Sequence, residues 1–214
     1  MSDHPTDLSI IVASGTGRVA LAPDLADLRL GVAVSRPTVG TARTEAARLM
    51  DAILTAVDAA GVPRRDVRTA LLSVQPRYDY RDDRPPTLTG YELANVVEVT
   101  VRDLARLGDV VDGTLGAGAT SMDGLSFRIA DPTDAERAAR IAAMAQARSR
   151  ADVLAEAAGL AIDSVAEVVE GVAGIPPGPR LKAERMLMAA DVATPLEAGS
   201  LEVTVAVTVT YRAR

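Results

Sequence analysis

Apolar and polar residues alternate along several stretches of the chain, which is the pattern of a β-strand with one buried face. The clearest of these stretches is Ala26–Ser35, where every second residue is apolar. Two long stretches, Val67–Tyr80 and Tyr91–Arg102, flank a polar segment and predict an antiparallel hairpin that projects from the sheet. Further strands are predicted at Met122–Ile129, Val165–Val172 and Leu201–Arg212.

Other stretches place apolar residues three or four positions apart, which is the pattern of a helix with one buried face. Such helices are predicted at Thr38–Ala60, around Leu104–Leu115 and, the longest, over residues 131–158. The longest helix has a strong start, because Asp131 can cap it and Pro132 is tolerated in its first turn. We expect its buried face to contain Ile141, Met144, Ala147, Ala151, Leu154 and Ala158.

Two glycines near the N terminus separate two apolar runs, residues 10–12 and 19–21. Because glycine readily adopts positive φ, the segment Ser14–Gly17 predicts a β-hairpin with Gly15 and Gly17 in a tight turn. A phosphate-binding loop is the alternative interpretation. It is disfavoured, because such a loop opens a helix and these glycines join two predicted strands.

The order of the predicted elements repeats along the chain. Residues 25–102 read strand, helix, strand, strand, and residues 119–212 repeat that order, with the short helix between them. We predict an α+β fold of two βαββ-like halves, with antiparallel sheets packed against long helices, plus the N-terminal β-hairpin. The length favours a single domain, residues 8–214, after a polar tail at 1–7, with a flexible segment at 174–199.

Composition and charge argue against several function classes. The net charge is −6, with no tryptophan and one phenylalanine, so the chain lacks the basic surface and stacking residues of nucleic-acid-binding proteins. Without cysteine it has no disulfide, thiolate or cysteine-based metal site. The apolar run at 8–13 is too short for a membrane span or a signal sequence, so we predict no transmembrane segment and a cytoplasmic location.

The sequence contains no set of residues typical of an active site. Its single histidine, His4, lies in the polar tail, away from partners for a catalytic triad or a histidine metal site. Asn95 and Glu98 are three residues apart on a predicted strand, so they point to opposite faces. We therefore predict no catalytic residue, no metal site and no cofactor, and a protein that is not an enzyme.

The polar tip of the predicted hairpin carries a distinctive set of side chains, in which carboxylates and guanidinium groups stand beside two tyrosines. Three interpretations are open: a solvated tip, a surface that contacts a partner, or a site for a hard cation such as calcium. Tyrosine and arginine are enriched at interfaces, which favours contact over a cation. The candidate interaction residues are Tyr78, Tyr80, Arg81, Asp82, Asp83 and Arg84.

The segment 174–199 is long for an internal connection, and two interpretations are open: a mobile loop, or an element that packs in an oligomer. Its candidate interaction residues are Met186 and Met188, because methionine-rich surfaces adapt to partners. Oxidation of these thioethers would also offer a chemical link to oxidative stress.

Short segments spread along nearly the whole chain carry a family resemblance. They are Val12–Val19, Pro23–Asp27, Asp66–Thr69, Gln75–Tyr78, Gly90–Asn95, Gly118–Asp131 and Pro195–Gly199. In order and spacing they resemble the SIMPL domain family, which includes bacterial periplasmic immunogenic and oxidative-stress-defence proteins. The motif residues expected to be structural are Gly15, Gly17, Pro23, Asp24, Gly90, Tyr91 and Gly199.

The resemblance implies an α+β protein that assembles into homo-oligomers, which in some members are ring-like or channel-like particles, and it supplies no catalytic residues. On this basis we expect a non-enzymatic structural or interaction protein linked to stress defence. Its partner would be a second copy of the chain or an unidentified protein. The alternative is a small-ligand-binding protein or an enzyme that uses a cleft between the two halves.

Overall fold

Two antiparallel sheets, each with helices on one face, make up the described part of the chain. The computed structural model describes residues 9–80, 85–171 and 196–214. Unit 1 contains the described residues 9–22, 129–171 and 199–214, and unit 2 contains 23–80, 85–128 and 196–198. The predicted α+β class is confirmed.

Unit 1 is a three-stranded sheet with one long helix. Its elements are β1 (Ser9–Leu21), α3 (Thr133–Ala158), β6 (Ile162–Gly171) and β7 (Leu201–Ala213), and its strand order is β1-β7-β6. Unit 2 is a four-stranded sheet with two helices and the strand order β3-β4-β2-β5. Its elements are β2 (Leu25–Arg36), α1 (Val39–Ala59), β3 (Val67–Asp79), β4 (Thr87–Val101), α2 (Leu107–Gly116) and β5 (Ser121–Arg128).

The repeated order of strand, helix, strand, strand is present in the structure, but the strand pairing differs from two self-contained halves. Strand β5, the first strand of the second repeat, joins the sheet of unit 2, where Leu125 lies opposite Leu28. Leu125 and Phe127 pack against the apolar core of that unit, which explains its position. The place of β5 in unit 1 is taken by β1, which pairs with β7.

The predicted N-terminal β-hairpin is wrong. Residues 9–21 form one continuous strand that pairs with β7 along its whole length, from Ser9 opposite Ala213 to Leu21 opposite Leu201. Gly15 and Gly17 lie in the middle of this strand, and neither has positive φ. The alternation of apolar residues on both sides of the glycines belongs to one strand, so the glycines need another physical reason.

That reason is the close approach of α3 to β1. A Cβ atom built on Gly15 would lie 2.0 Å from the carbonyl oxygen of Ala143, and one on Gly17 would lie 1.8 Å from that of Ala139. These positions are filled by helix backbone, which cannot move aside as a flexible side chain can. Only glycine therefore lets the helix lie at this distance from the strand.

The predicted buried face of α3 is also wrong in part. Ala147 and Ala151 are buried as expected, but Ile141 is 65% exposed and Leu154 is half-exposed. A helix this close to a glycine-bearing strand fully buries methyl side chains only, and Met144, which is partly buried, also packs against this core. The buried face is a row of alanines: Ala135, Ala139, Ala143, Ala147, Ala151 and Ala155.

The core of unit 2 is built instead from large aliphatic side chains. Leu28, Leu30 and Val32 of β2 are fully buried beneath α1, which contributes Ile53 and Val57. Helix α1 packs on β2 and β4, the two inner strands, while β3 lies at the margin of the sheet. No described helix is both long and apolar enough to span a membrane.

The projecting hairpin is confirmed as far as the described residues reach. Strands β3 and β4 pair from Val67 opposite Val99 to Asp79 opposite Thr87. Strand β2 accompanies β4 only as far as Tyr91, which lies opposite Arg36. The hairpin therefore extends beyond the end of β2 as a two-stranded arm.

Candidate functional site

Strand β3 presents large apolar side chains at the free margin of the unit 2 sheet. Leu72 is 65% exposed, and Leu71 and Val74 are nearly half-exposed. Leu72 and Val74 lie opposite Asn95 and Leu93 of β4, on the sheet face that α1 covers further in. Because α1 packs on β2 and β4, these side chains lie beyond its cover. We call Leu71, Leu72 and Val74 the apolar edge.

Asn95 lies next to the apolar edge, and its side-chain oxygen lacks a hydrogen-bond donor among the described residues. Its register places it between Val32 on one side and Leu72 on the other. Its side-chain oxygen is buried and has no donor among the described residues. A buried acceptor without a partner loses its hydration with no compensation, which is rare in folded proteins. The margin of this sheet therefore combines exposed apolar groups with an unsatisfied polar atom.

The two-stranded arm carries exposed aromatic side chains. Tyr80 is 75% exposed and Tyr78 about half-exposed, and their ring centroids are 6.3 Å apart with the rings tilted by 57°. Arg77 Nη1 donates to Ser35 Oγ at 3.1 Å and ties the arm to the end of β2. Both tyrosines are accessible, as an interaction role requires, and that role stays a prediction.

The glycine and proline motif positions have local structural reasons. Gly90 has a φ of 152°, and a Cβ atom there would lie 2.6 Å from the carbonyl oxygen of Arg36, so the crossing of the two strands needs glycine. Pro23 is buried, and the backbone N–H of Asp24 donates to the carbonyl oxygen of Arg128. Tyr91 is half-buried opposite Arg36 and Pro76, and Gly199 has a φ of 61° just before β7.

Several predictions fall on residues outside the described ranges. These are the polar tail with His4, the hairpin tip Arg81, Asp82, Asp83 and Arg84, and Met186 and Met188 of the long internal segment. The roles proposed for these residues stay predictions. The end of that segment is described at Leu196, which packs against the apolar core of unit 2.

The face of the unit 2 sheet opposite the helices carries charged side chains in pairs. Glu98 accepts from Arg68 and lies 4.0 Å from the Arg29 guanidinium. Asp27 accepts from Thr100 Oγ1 at 2.7 Å and from Arg128. Burial by itself raises the pKa of Asp27, but the hydrogen bonds from Arg128 and Thr100 outweigh it and leave the pKa below its usual value. This carboxylate is held ionised, which suits a structural pair better than a general acid.

A polar cavity of about 250 Å³ opens on the same face, beside β5. Strand β5 is irregular here: Arg29 lies opposite Gly124 and Leu30 opposite Met122, so Asp123 is an extra residue, and Gly124 has a φ of 136°. Such bulges re-aim side chains next to functional sites. The lining residues are Asp27, Arg29, Glu98, Asp123, Gly124, Leu125 and Ser126.

Sequence reasoning did not find this cavity. Asp27, Glu98 and Asp123 come from three strands that are far apart in the chain, and only the sheet pairing brings them together. A glycine within a strand signals a bulge, so the sole sequence signal was Gly124. Among the described residues, no group of three histidine, cysteine or carboxylate side chains is placed to hold a metal ion.

The structure defines an α+β protein with two helix-covered antiparallel sheets, an apolar edge and a projecting arm. The family model SIMPL, described as a protein of unknown function (DUF541), matches residues 11–211. The chain belongs to this family, which confirms the resemblance.

Three relatives show how far the similarity extends. The 26 kDa periplasmic immunogenic protein of Brucella melitensis is 33% identical over 94% of this chain and 83% of its own length. The protein YggE of Escherichia coli K12, described as uncharacterized, is 32% identical over 86% of this chain and 72% of its own length. The Brucella abortus protein bears the same periplasmic name at 33% identity. The two Brucella relatives, both named periplasmic proteins, overturn the predicted cytoplasmic location, which rested on the N-terminal residues alone.

A solved structure described as AtUAH in complex with glyoxylate is 13% identical over 56% of this chain and 31% of its own chain, with a TM-score of 0.25. A score of this size does not indicate a shared fold.

Proposed function

We propose that this SIMPL-family protein is a homo-oligomer that acts through protein contacts rather than through catalysis, in the periplasm and in connection with stress defence. The observation that supports self-association is the apolar edge of β3. A long edge strand offers unpaired backbone groups to another chain. In β3 the uncovered stretch lies between the irregularities at Thr69/Leu71 and Arg77/Tyr78.

Unit 1 provides an internal reference, because β1, one of its two edge strands, is covered. The backbone N–H of Thr16 donates to Gln146 Oε1 at 2.8 Å. Arg150 Nη1 donates to the carbonyl oxygen of Ser14 at 2.7 Å. Two side chains of α3 thus occupy backbone groups of β1 that would otherwise meet solvent. Among the described residues, no side-chain hydrogen bond reaches the backbone of residues 69–75 of β3.

The proposed location and biological setting rest on relatives. Two Brucella relatives are named periplasmic immunogenic proteins, and the family resemblance includes oxidative-stress-defence proteins. The proposal that the protein is not an enzyme is supported by the pairing of Asp27, Glu98 and Asp66 with arginines, which favours a structural role for these carboxylates.

The native mass of the untagged protein tests the proposal. Size-exclusion chromatography with light scattering across a wide concentration range should give a discrete multimer of the 22.2 kDa chain. A monomer at every concentration would overturn self-association and leave the fold and family unchanged. Cell fractionation with an antibody against the protein would test the periplasmic location independently.

The polar cavity supports a second candidate function, the binding of a small molecule. Asp123 has no ion pair or hydrogen bond among the described residues, and Arg29 lies only at the 4.0 Å limit of an ion pair with Glu98. A free carboxylate and a weakly paired guanidinium match a ligand that carries both charges, such as a free amino acid.

A thermal-shift screen with amino acids would test this second function. A ligand at about one hundred times its dissociation constant stabilises a protein by about 2.7 kcal/mol, which is a readily measured shift. The Asp123→Asn variant should lose the shift, while Asp109→Asn, on α2 and away from the cavity, should keep it. The absence of any shift with the native protein would remove this candidate.

A further inference from the structure

We infer that two copies of the chain associate by antiparallel pairing of β3 with β3, around a two-fold axis at Ser73. This inference rests on the proposed function, because it names the partner and the contact through which the protein would self-associate.

The apolar edge has the symmetry that such a pairing needs. Ser73 is the midpoint of β3, and Leu72 and Val74 flank it on one face of the sheet. An antiparallel pair centred on Ser73 places Leu72 of one copy opposite Val74 of the second copy, and the reverse. The facing side chains form a continuous apolar row across the two-fold axis. Leu71, on the other face, then lies opposite Gln75 of the second copy.

A shift of one residue breaks this match. With the axis at Leu72, Val74 would lie opposite Ala70 of the second copy, which is the extra residue at the irregularity of β3. With the axis at Val74, Leu72 would lie opposite Pro76 of the second copy, which cannot donate to a neighbouring strand. The side-chain pattern therefore favours the register centred on Ser73.

The charge distribution along β3 agrees with contact to an identical strand. The segment Leu71–Pro76 contains no charged residue, so its burial against a second copy removes no charge from water. The arginines that flank it contact polar groups of their own chain: Arg68 donates to Glu98, and Arg77 donates to Ser35 Oγ and lies 4.0 Å from Glu92.

Pro76 sets the length of the contact. Proline has no N–H group and cannot donate to a neighbouring strand, so it ends the hydrogen-bonded ladder at this point. Across an axis at Ser73, Pro76 lies opposite Ala70 of the second copy, at the irregularity of β3 between Thr69 and Leu71. The ladder therefore covers residues 70–76 of each copy, which is a short contact that fits a reversible or multi-contact assembly.

A single cysteine tests the axis directly, since the chain contains none. In the Ser73→Cys variant, the two thiols would face each other across the axis at about the Cβ separation that a disulfide needs. Mild oxidation of the folded protein should link most of the chains as dimers. Ser14→Cys is the matched control, because it places a thiol on β1, whose edge is covered by Arg150, and should stay mostly unlinked.

A charge placed on the apolar edge provides the second measurement. Leu72→Lys should lower the native mass of the multimer, and Ile10→Lys, which is equally exposed at 65% but lies on β1, should leave it unchanged. Circular dichroism and the melting temperature report whether each variant is folded, and the cysteine result stands by itself if Leu72→Lys fails to fold.

The outcomes separate the interface from the proposed function. If the native protein is a multimer while Ser73→Cys fails to link and Leu72→Lys keeps the native mass, the β3 contact is overturned and self-association stands. If the native protein is monomeric at every concentration and Ser73→Cys links no faster than Ser14→Cys, both are overturned.

Discussion

The two long helices cover their sheets in different ways. Helix α3 of unit 1 lies so close to β1 that its buried face is entirely alanine and the strand needs Gly15 and Gly17. From there Gln146 and Arg150 reach the edge of β1. Helix α1 of unit 2 packs through larger side chains onto β2 and β4, and it leaves the apolar edge of β3 exposed.

The difference shows that side-chain size in a helix–sheet interface influences more than core packing. Small residues bring the backbones together, and long polar side chains on the flank of the helix can then bend over the edge strand. The buried face of α1 combines Ala42 and Ala46 with Met50, Ile53 and Val57, and this helix packs on the two inner strands. The β1 edge of unit 1 is thereby covered, and the β3 edge of unit 2 is not.

We expect the largest loss of stability when a methyl group is added at the close contact between α3 and β1 in unit 1. Gly17→Ala would place a Cβ atom 1.8 Å from the Ala139 carbonyl oxygen, and backbone must shift to relieve the overlap. We expect a loss of about 3 kcal/mol or more in the free energy of unfolding, measured with urea. Gly116→Ala is the control, because that position faces open space, and it should change stability by less than about 1 kcal/mol. Equal effects at both positions would contradict the close approach.

The second prediction compares the loss of stability caused by an isoleucine-to-alanine substitution in α1 and in α3. Ile53→Ala in α1 removes a fully buried side chain and should cost about 2–4 kcal/mol through lost burial and a cavity. Ile141→Ala in α3 removes a largely exposed side chain and should change stability by less than about 0.5 kcal/mol. Thermal unfolding of both variants checks the prediction. A large cost at Ile141 would restore the apolar face that periodicity predicts for α3.

A smaller effect is expected when the covered edge is opened. The double variant Gln146→Ala, Arg150→Ala removes the two hydrogen bonds to β1 and should cost about 1–2 kcal/mol. It should also increase association on heating, measured by light scattering, because the β1 edge becomes available. Arg137→Ala is the control, since its ion pair with Asp134 is highly exposed. If the double variant associates no more than this control, the two side chains do not protect the edge.

The smallest effect concerns an ion pair at the start of β3. Asp66, whose side chain is 6% exposed, accepts two hydrogen bonds of 2.8 Å from Arg102, and these bonds lower the pKa of Asp66. A lowered pKa stabilises the folded protein above the unfolded value, near pH 4, and the stabilisation is lost as the pH falls through the folded value. Asp66→Asn should therefore cost about 1 kcal/mol at neutral pH. The difference from the native protein should shrink in acid, as unfolding at several pH values would show. A difference that is constant with pH would exclude this cause.

Periodicity alone predicted most elements and their order. The alternation in Ala26–Ser35 and Leu201–Arg212 and the helical spacing in Thr38–Ala60 correspond to β2, β7 and α1 within one or two residues. These signals are strong because each element buries one face, so the repeat of apolar residues reports the geometry of the backbone. The family membership likewise followed from the order of short motifs along the chain.

The periodicity of the sequence predicted only some features of the candidate sites. The arm and its exposed Tyr78 and Tyr80 followed from the hairpin pattern, whereas the cavity at Asp123 depends on a bulge and on pairing between distant strands. The apolar edge was missed, because alternation shows that Leu72 and Val74 share a face and does not show whether a helix covers that face.

By itself, the sequence determined which segments are strands and helices, since that information lies in the spacing of residues a few positions apart. The tertiary structure decided which strand joins which sheet, why Gly15 and Gly17 are glycines, and that side chains of α3 cover the edge of β1. These outcomes depend on distances between backbones that are far apart in the chain. A glycine beside a helix and a glycine in a turn are identical in sequence, and only packing distinguishes them.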